Sequence, residues 1–447
     1  MAGRTKVRSL ALWMNGLPVG HWELIHGAEQ LVYRDDWIAN PQGRPLSLSL
    51  PFLPGNRPHR GPAVAAFFDN LLPDSLDIRK RIAARYKTEG TDAFAMLAEL
   101  GRDCVGAIQM LPPDEVPEDL ASIRGQALNE AQIADRLRKI TATPVPGQYD
   151  EVDDLRLSIA GAQEKSALLL HKGEWILPEG STPTTHIFKL PMGLVGGLQA
   201  DMRTSVENEW LSSKIVAAYD LPIAHCDIAW FEDQKVLIVE RFDRRLSHDG
   251  KWILRLPQED MCQATGTDAR LKYQADGGPG IDRIMEVLAR SVESDQDRRN
   301  FFKTQILFWL LAAPDGHAKN FSIAHLANDQ YRATPLYDIL SAHPIIGTKK
   351  NQVAPQKAKL AMGVHGKSPH YRINEILPRH WIAQGARVGF NADQVTELIN
   401  ELIQRTPEAI TAVQVQLPED FPKDIAETIF GGLTRHSQKL ARFPDEV

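Results

Sequence analysis

The stretch Leu311-Ala-Ala-Pro-Asp315-Gly-His317-Ala-Lys319-Asn320-Phe-Ser322 decides how the rest of this chain reads. It follows an apolar run from Ile306 to Ala313, which predicts the end of a buried helix. Pro314 biases Ala313 out of helical geometry, so Asp315 and Asn320 fall on a loop. In the catalytic loops of phosphoryl-transfer enzymes an aspartate accepts the proton of the attacking hydroxyl, and an asparagine five positions later holds a magnesium ion. That spacing lets the base and the metal ligand address opposite ends of the transferring group. Downstream, Tyr331-Arg-Ala-Thr-Pro-Leu-Tyr337-Asp338-Ile339 predicts a short strand delivering an aspartate, where such enzymes carry a second magnesium ligand. Taken singly, Asp315-Gly316 is an ordinary turn and Asn320 an ordinary helix cap. The order base, asparagine, short hairpin, aspartate is more specific than any of its parts. His317 is read as a group that orients a neighbouring carboxylate rather than as the base. No H-E-x-x-H or comparable histidine pair points to zinc.

Upstream, the same chemistry needs a strand lysine for the phosphates. Lys189 in Thr-His-Ile-Phe-Lys-Leu-Pro is the only charge in its apolar strand, and an inward lysine there is costly unless an anion meets it. The alternation around it also permits an edge lysine facing solvent. Glu209, on a helix predicted over 205–219, is a candidate partner for Lys189, with Glu207 competing. Ser158-Ile-Ala160-Gly161-Ala162-Gln163-Glu164-Lys165 joins two strands, with small residues that let backbone N–H groups approach phosphates. It contains neither G-x-G-x-x-G nor a Walker A pattern, so by pattern alone it is a hairpin turn. Val239-Glu240-Arg241-Phe242-Asp243 lies where β character gives way to α character, as a hinge or a charged linker would.

The surrounding chain sets the frame. At 447 residues it is too long for one core, and 43% hydrophobic with 24% charged residues is ordinary for a globular protein. A net charge of −6 argues against wholesale binding of nucleic acid. Three dispersed cysteines exclude a disulfide framework and fit a reducing compartment. The first residues lack the apolar core of a signal peptide, and no apolar run is long enough to span a bilayer, so a soluble, cytoplasmic protein away from membranes is expected. Asn15-Gly16 predicts a hairpin, Leu46, Leu48 and Leu50 alternate with serines as in a half-buried strand, and helices are predicted over 63–72, 75–86 and 129–140. Strands are predicted over 166–171, 186–190, 224–231 and 235–239, then helices over 281–291, 295–312, 392–405, 408–416 and 423–436.

Further stretches carry a resemblance. They are Arg44-Pro-Leu-Ser-Leu-Ser-Leu-Pro, Phe67-Phe-Asp-Asn-Leu-Leu-Pro-Asp-Ser, Gly101-Arg-Asp-Cys-Val-Gly-Ala and Thr182-Pro-Thr-Thr-His-Ile-Phe-Lys-Leu-Pro. Leu256-Pro-Gln-Glu-Asp-Met-Cys-Gln, Asp276-Gly-Gly-Pro-Gly and Lys359-Leu-Ala-Met-Gly add to the stretches already quoted. Together they resemble the HipA family, serine/threonine kinase toxins of bacterial type II toxin–antitoxin modules, over nearly the whole chain. The resemblance implies an α+β, bilobal, protein-kinase-like fold. Its parts would be a small α+β subdomain over 1–110, a β-rich lobe over 111–250 and an all-helical C-terminal lobe over 251–447. It implies Asp315 as catalytic base, and Asn320 and Asp338 as magnesium ligands. ATP would be held by Ala160, Gly161, Ala162, Gln163, Glu164, Lys165, Lys189, Glu240, Arg241, Phe242, His317, Asn320, Tyr337 and Asp338. Ser158 would be a site of autophosphorylation, where a doubly charged group disturbs a loop that must fold over phosphates. The implied partners are a HipB-like helix-turn-helix antitoxin dimer, operator DNA reached mainly through that antitoxin, and glutamyl-tRNA synthetase as protein substrate. A small-molecule phosphotransferase and a non-catalytic corepressor are the rival readings. Pro314 before the base and the segment 344–370 depart most from the family's pattern.

Overall fold

A computed structural model describes residues 8–141, 163 and 165–442. The chain opens with strands β1 (Arg8–Met14), β2 (Leu17–Ile25) and β3 (Ala28–Tyr33), followed by β4 (His59–Arg60) and β5 (Ile108–Leu111). They form one sheet in the order β4-β3-β2-β1-β5. The hairpin turns at Asn15 and Gly16, whose φ values of 47° and 81° are the left-handed pair that a two-residue turn of this hand requires. Helices Pro62–Asp69, Leu76–Tyr86 and Ala93–Leu100 join this sheet. Trp22 stacks on Phe68 at 3.8 Å and meets Phe94 at 4.8 Å in the centre of that core. Ser75 caps the second helix by accepting from the Ile78 N–H, and Asp92 caps the third from Ala95.

The alternation of Leu46, Leu48 and Leu50 does not make a strand. The Tyr33 hydroxyl accepts from Leu46 N at 2.8 Å and donates to Leu50 O at 2.7 Å, curling the segment into turns. Ser47 and Ser49 donate to the carbonyl of Gln263 at 3.1 and 2.7 Å and Leu48 packs on the same C-terminal body, while Leu46 and Leu50 enter the N-terminal core, so the segment bridges two bodies and is not a pleat.

A second sheet is built from β6 (Gly125–Ala127), β7 (Lys165–His171), β8 (Glu174–Pro178), β9 (His186–Lys189), β12 (Cys226–Phe231) and β13 (Gln234–Glu240), with a small hairpin β10 (Leu194–Val195) and β11 (Ala200–Asp201) after β9. Its order is β12-β13-β9-β7-β8-β6, and all its pairs are antiparallel. Helix Ser205–Ala218 packs on this sheet, and helix Glu130–Thr141 lies against β7, β12 and β13.

Beyond residue 250 the chain is helical in mass but not all-helical. Short strands Gln258–Asp260, Ser322–His325 and Tyr331–Ala333 form one sheet, and Lys359–His365 pairs with Pro369–Arg372. These strands position loops; the helices Ile281–Leu288, Ser294–Leu310, Pro378–Arg387, Ala392–Gln414 and Lys423–Ala441 supply most of the core. The predicted break before Glu408 is absent, because Pro407 sits inside one helix from Ala392 to Gln414. An interior proline costs about 3 kcal/mol. Here the packing of Leu402, Ala409 and Val413, and a Thr406 hydroxyl shared between Leu402 O and the Tyr219 hydroxyl, hold the helix across it. Among the described residues no helix is long and apolar enough to cross a membrane.

Candidate active site

β7 and β9 bring Lys165 and Lys189 directly opposite each other, so both side chains lie on one face of the sheet. Like charges in that position repel. The structure answers with two carboxylates: Lys189 Nζ lies 2.6 Å from Glu209 and 2.6 Å from Asp338. Burial alone would lower the Lys189 ammonium, but Asp338 and Glu209 outweigh it and hold it above the usual lysine range. Asp338 resists the upward push of burial because Lys189 and Lys165 hold it well below the usual carboxylate range. Glu209 is pushed up to about 7 by burial, against the pull of Lys189. Lys165 is lowered to about 8, first by burial and then by Lys189. Of the two competing glutamates, Glu209 takes Lys189 while Glu207 pairs with Lys235. Residues two apart on a helix face different ways, so only one could reach the lysine.

Asp315 sits at the end of helix Ser294–Leu310, after a turn in which Ala312 has φ +50°. The Asn320 amide donates to the main-chain oxygen of Asp315 at 2.7 Å and closes the loop. The Asp315 carboxylate is 44% exposed, open enough to meet a substrate. His317 is nearly buried, its Nε2 is 3.5 Å from Asp315, and burial lowers its pKa, which favours the neutral ring. A group the sequence did not single out meets Asp315: the Tyr273 hydroxyl donates to its carboxylate at 2.5 Å, and the Tyr273 ring meets His317 edge-on at 5.0 Å. Asp338 takes φ +61°, a strained value for a non-glycine residue. Tyr337 before it is anchored through its hydroxyl to Ser322 at 2.5 Å and to Lys319 O at 2.9 Å.

The presumed hinge divides. Phe242 lies 5.8 Å from the Tyr337 ring, forming an aromatic corner beside the cleft. Arg241 turns the other way. Its amide donates to Thr185 O at 2.9 Å, and its guanidinium binds Asp243, Thr184 and Cys104 O at 2.9, 2.9 and 2.7 Å. Its side chain is therefore spent on a buried cluster with Asp103, Arg244 and Arg255, and its carbonyl already accepts the Arg244 N–H at 3.2 Å, which leaves Arg241 little with which to meet a nucleotide. The Glu240 amide is likewise taken, by His225 O at 2.9 Å. Ser158, Ala160, Gly161, Ala162 and Glu164 lie outside the described residues. Gln163 is described, and its side chain donates to Leu190 O at the end of β9.

The donors present suit a nucleotide with magnesium. Asp338 and Asn320 offer hard oxygen ligands, and the opposed Lys165 and Lys189 offer cations that a polyphosphate would neutralise. Among the described residues no group of three His, Cys, Asp or Glu side chains forms a self-sufficient metal cage.

Two family models match the chain: a HipA N-terminal domain over residues 10–111 and a HipA-like C-terminal domain over residues 157–410. A putative kinase, Y4mE, of Sinorhizobium fredii is 32% identical over 412 residues, covering 91% of this chain and 92% of that protein. The serine/threonine-protein kinase toxin HipA of Shewanella oneidensis is 25% identical over 463 aligned positions, covering 99% of this chain and 98% of that one. Among solved structures, HipA in the Shewanella oneidensis complex of HipA, HipB and operator DNA superposes with a TM-score of 0.78 at 24% identity, covering 98% and 99% of the two chains. That last likeness establishes a common mixed α/β fold, with its sheets toward the N-terminal side and its helices in the C-terminal part. With a C-terminal model covering more than half its length and an N-terminal model covering most of the remainder, the chain belongs to the HipA family.

Proposed function

We propose that this chain is an ATP-dependent serine/threonine protein kinase that serves as the toxin of a toxin–antitoxin pair. The observation that carries this reading is the Glu209–Lys189–Asp338 ion-pair chain in the same cleft as the Asp315–Asn320 loop. In it the two sheets and the helical part act as the lobes of a kinase-like fold. Adenine lies against the main chain of Glu240 to Phe242, beside the Phe242 and Tyr337 rings. Lys189 and Lys165 meet the phosphates. Asn320 and Asp338 would hold magnesium, which would supply positive charge to the phosphates; ADP leaves with the electrons of its broken bond to the γ-phosphorus. Asp315 accepts the proton of the attacking serine hydroxyl as its oxygen bonds to the γ-phosphorus. Neutral His317 and the Tyr273 hydroxyl hold the Asp315 carboxylate in line for that transfer.

The partners follow from the relatives and the charge. The Shewanella protein is called a toxin and is solved with HipB and operator DNA. We assign this chain a HipB-like helix-turn-helix dimer as antitoxin. Operator DNA is reached mainly through that dimer, since a chain of net charge −6 gains little from phosphates alone. A serine of glutamyl-tRNA synthetase is the substrate, Ser158 is the autophosphorylation site, and the cytoplasm is where both are met. The test is transfer of labelled γ-phosphate from ATP and magnesium to purified synthetase, with Asp315→Gln alongside. Label on the synthetase that disappears with the variant is expected. Label on the chain alone would reject the synthetase as substrate, and label on neither protein would overturn the kinase reading.

A further inference from the structure

The segment between helices Pro62–Asp69 and Leu76–Tyr86 of the N-terminal domain, Leu71-Leu-Pro-Asp74-Ser75, reaches the catalytic loop. Asp74 Oδ1 lies 2.6 Å from Lys319 Nζ, and its Oδ2 lies 2.7 Å from Lys272 Nζ. Both lysines adjoin residues of the site. Lys319 stands between His317 and Asn320, with its side chain 4% exposed. Lys272 precedes Tyr273, whose hydroxyl holds Asp315, and its carbonyl accepts the Ala318 N–H at 3.3 Å. One carboxylate thus ties the catalytic loop to the strap that carries Tyr273.

The turn bearing Asp74 is itself braced. Arg79 donates to Pro73 O and to Asp69, each at 2.6 Å, and Asn70 donates to Thr267 O at 2.9 Å. These bonds fix the position of Asp74 relative to the C-terminal part before any substrate arrives. The Lys272 and Lys319 ammoniums and their shared carboxylate make a compact, nearly buried group. Burial would raise Asp74, but Lys319 and Lys272 bring it down to about 2, so it stays ionised throughout the working range.

We infer that Asp74 is a positioning residue for phosphoryl transfer, through which the N-terminal domain sets the catalytic loop and the Tyr273 strap in register. It touches neither the base nor either magnesium ligand; it acts through Lys319 and Lys272. The inference rests on the kinase reading above. A loop displaced by about an ångström loses on the order of a hundredfold in rate. A pure domain anchor would instead change stability and leave the turnover of folded molecules alone.

The experiment measures kcat and KM for ATP on the full chain, with its antitoxin removed, for the wild type, Asp74→Asn, Asp74→Glu and Lys319→Met, and for Asp74→Asn combined with Lys319→Met. Asp74→Asn is expected to lower kcat by about tenfold to a hundredfold with KM for ATP within about twofold. Asp74→Glu should recover much of that loss, and Lys319→Met should add little to Asp74→Asn, because the two act as one unit. If Asp74→Asn fails to fold, the kcat of Asp74→Glu and Lys319→Met decides. Full turnover in folded variants, with only the unfolding midpoint lowered, would reduce Asp74 to a domain anchor and overturn the inference. A wild type that transfers no phosphate from ATP would bring down the kinase reading, a different signature from turnover that ignores Asp74.

Discussion

Two buried charge clusters lie within the span of β13 and its neighbours, and they are built on opposite rules. Around Arg241, the carboxylates of Asp103 and Asp243 meet the guanidiniums of Arg241, Arg244 and Arg255, and all five side chains are less than 10% exposed. Planar guanidiniums also bind the carbonyls of Cys104, Gly106 and Ser181, so the cluster is sealed by the protein itself. In the cleft, two lysines stand opposed across adjacent strands, Asp338 is 27% exposed in a strained backbone conformation, and Asp315 is more exposed still. The first sets three guanidiniums against two carboxylates deep inside the protein and leaves only Arg244 Nε and Arg255 Nε of the three without a hydrogen-bond partner. The second sets two lysines beside Glu209 and Asp338 and leaves its aspartates partly exposed. Buried charge by itself does not mark function; what separates the two clusters is solvent exposure, since Asp338 and Asp315 are open to solvent and Asp103 and Asp243 are not.

The contrast can be broken by perturbing the sealed cluster. Arg244→Leu leaves Asp103 and Asp243 short of a partner and should cost about 3 to 5 kcal/mol of stability. Folded molecules should keep wild-type turnover; selective loss of turnover at unchanged stability would mean that the cluster belongs to the site. Acid gives a gentler probe. Against the upward push of burial, Arg241 and Arg244 hold Asp243 at about 2, below its ordinary 3.8. A carboxyl depressed on folding adds stability that is present above its unfolded pKa and lost as pH falls through the folded one. Thermal unfolding between about pH 4 and pH 2 should therefore show a loss on the order of 2 kcal/mol that Asp243→Asn lacks. The smallest effect belongs to the cleft. Tyr273→Phe removes one hydrogen bond to Asp315 and should lower kcat about fivefold, near 1 kcal/mol, without moving the unfolding midpoint. A larger fall would make Tyr273 part of the chemistry rather than a support for it.

How much of this was legible in the sequence depends on distance along the chain. The Asp315–Asn320 loop announces itself because proline, aspartate and asparagine act within a few residues. The choice between Glu209 and Glu207 needed helix phase and a neighbour, since both face buried ground and only the partner, Lys189 or Lys235, separates them. Arg241 was misdirected by its position: it stands where a hinge should be, but Asp103, 138 residues earlier, claims its side chain. Asp74 lies 245 residues from Lys319, and nothing in a plain Pro-Asp-Ser turn foretells that contact. Leu46 to Leu50 shows the converse failure. There Leu46 and Leu50 enter the N-terminal core while Ser47, Leu48 and Ser49 face the C-terminal part, and periodicity cannot tell that from a pleat.

On the proposed reading, the sheet face shared by Lys165 and Lys189 receives the phosphates of a nucleotide. The most direct test of that reading is the thermal unfolding of the wild type and of Lys189→Met, each with and without ATP and magnesium. A ligand at a hundred times its dissociation constant stabilises a folded protein by about 2.7 kcal/mol, a rise of a few degrees for a chain of this size. The wild type should rise by that amount with ATP and magnesium together, and Lys189→Met should scarcely respond. An equal rise in both proteins would contradict the account, because the nucleotide would then be bound without the lysine that the cleft is built around.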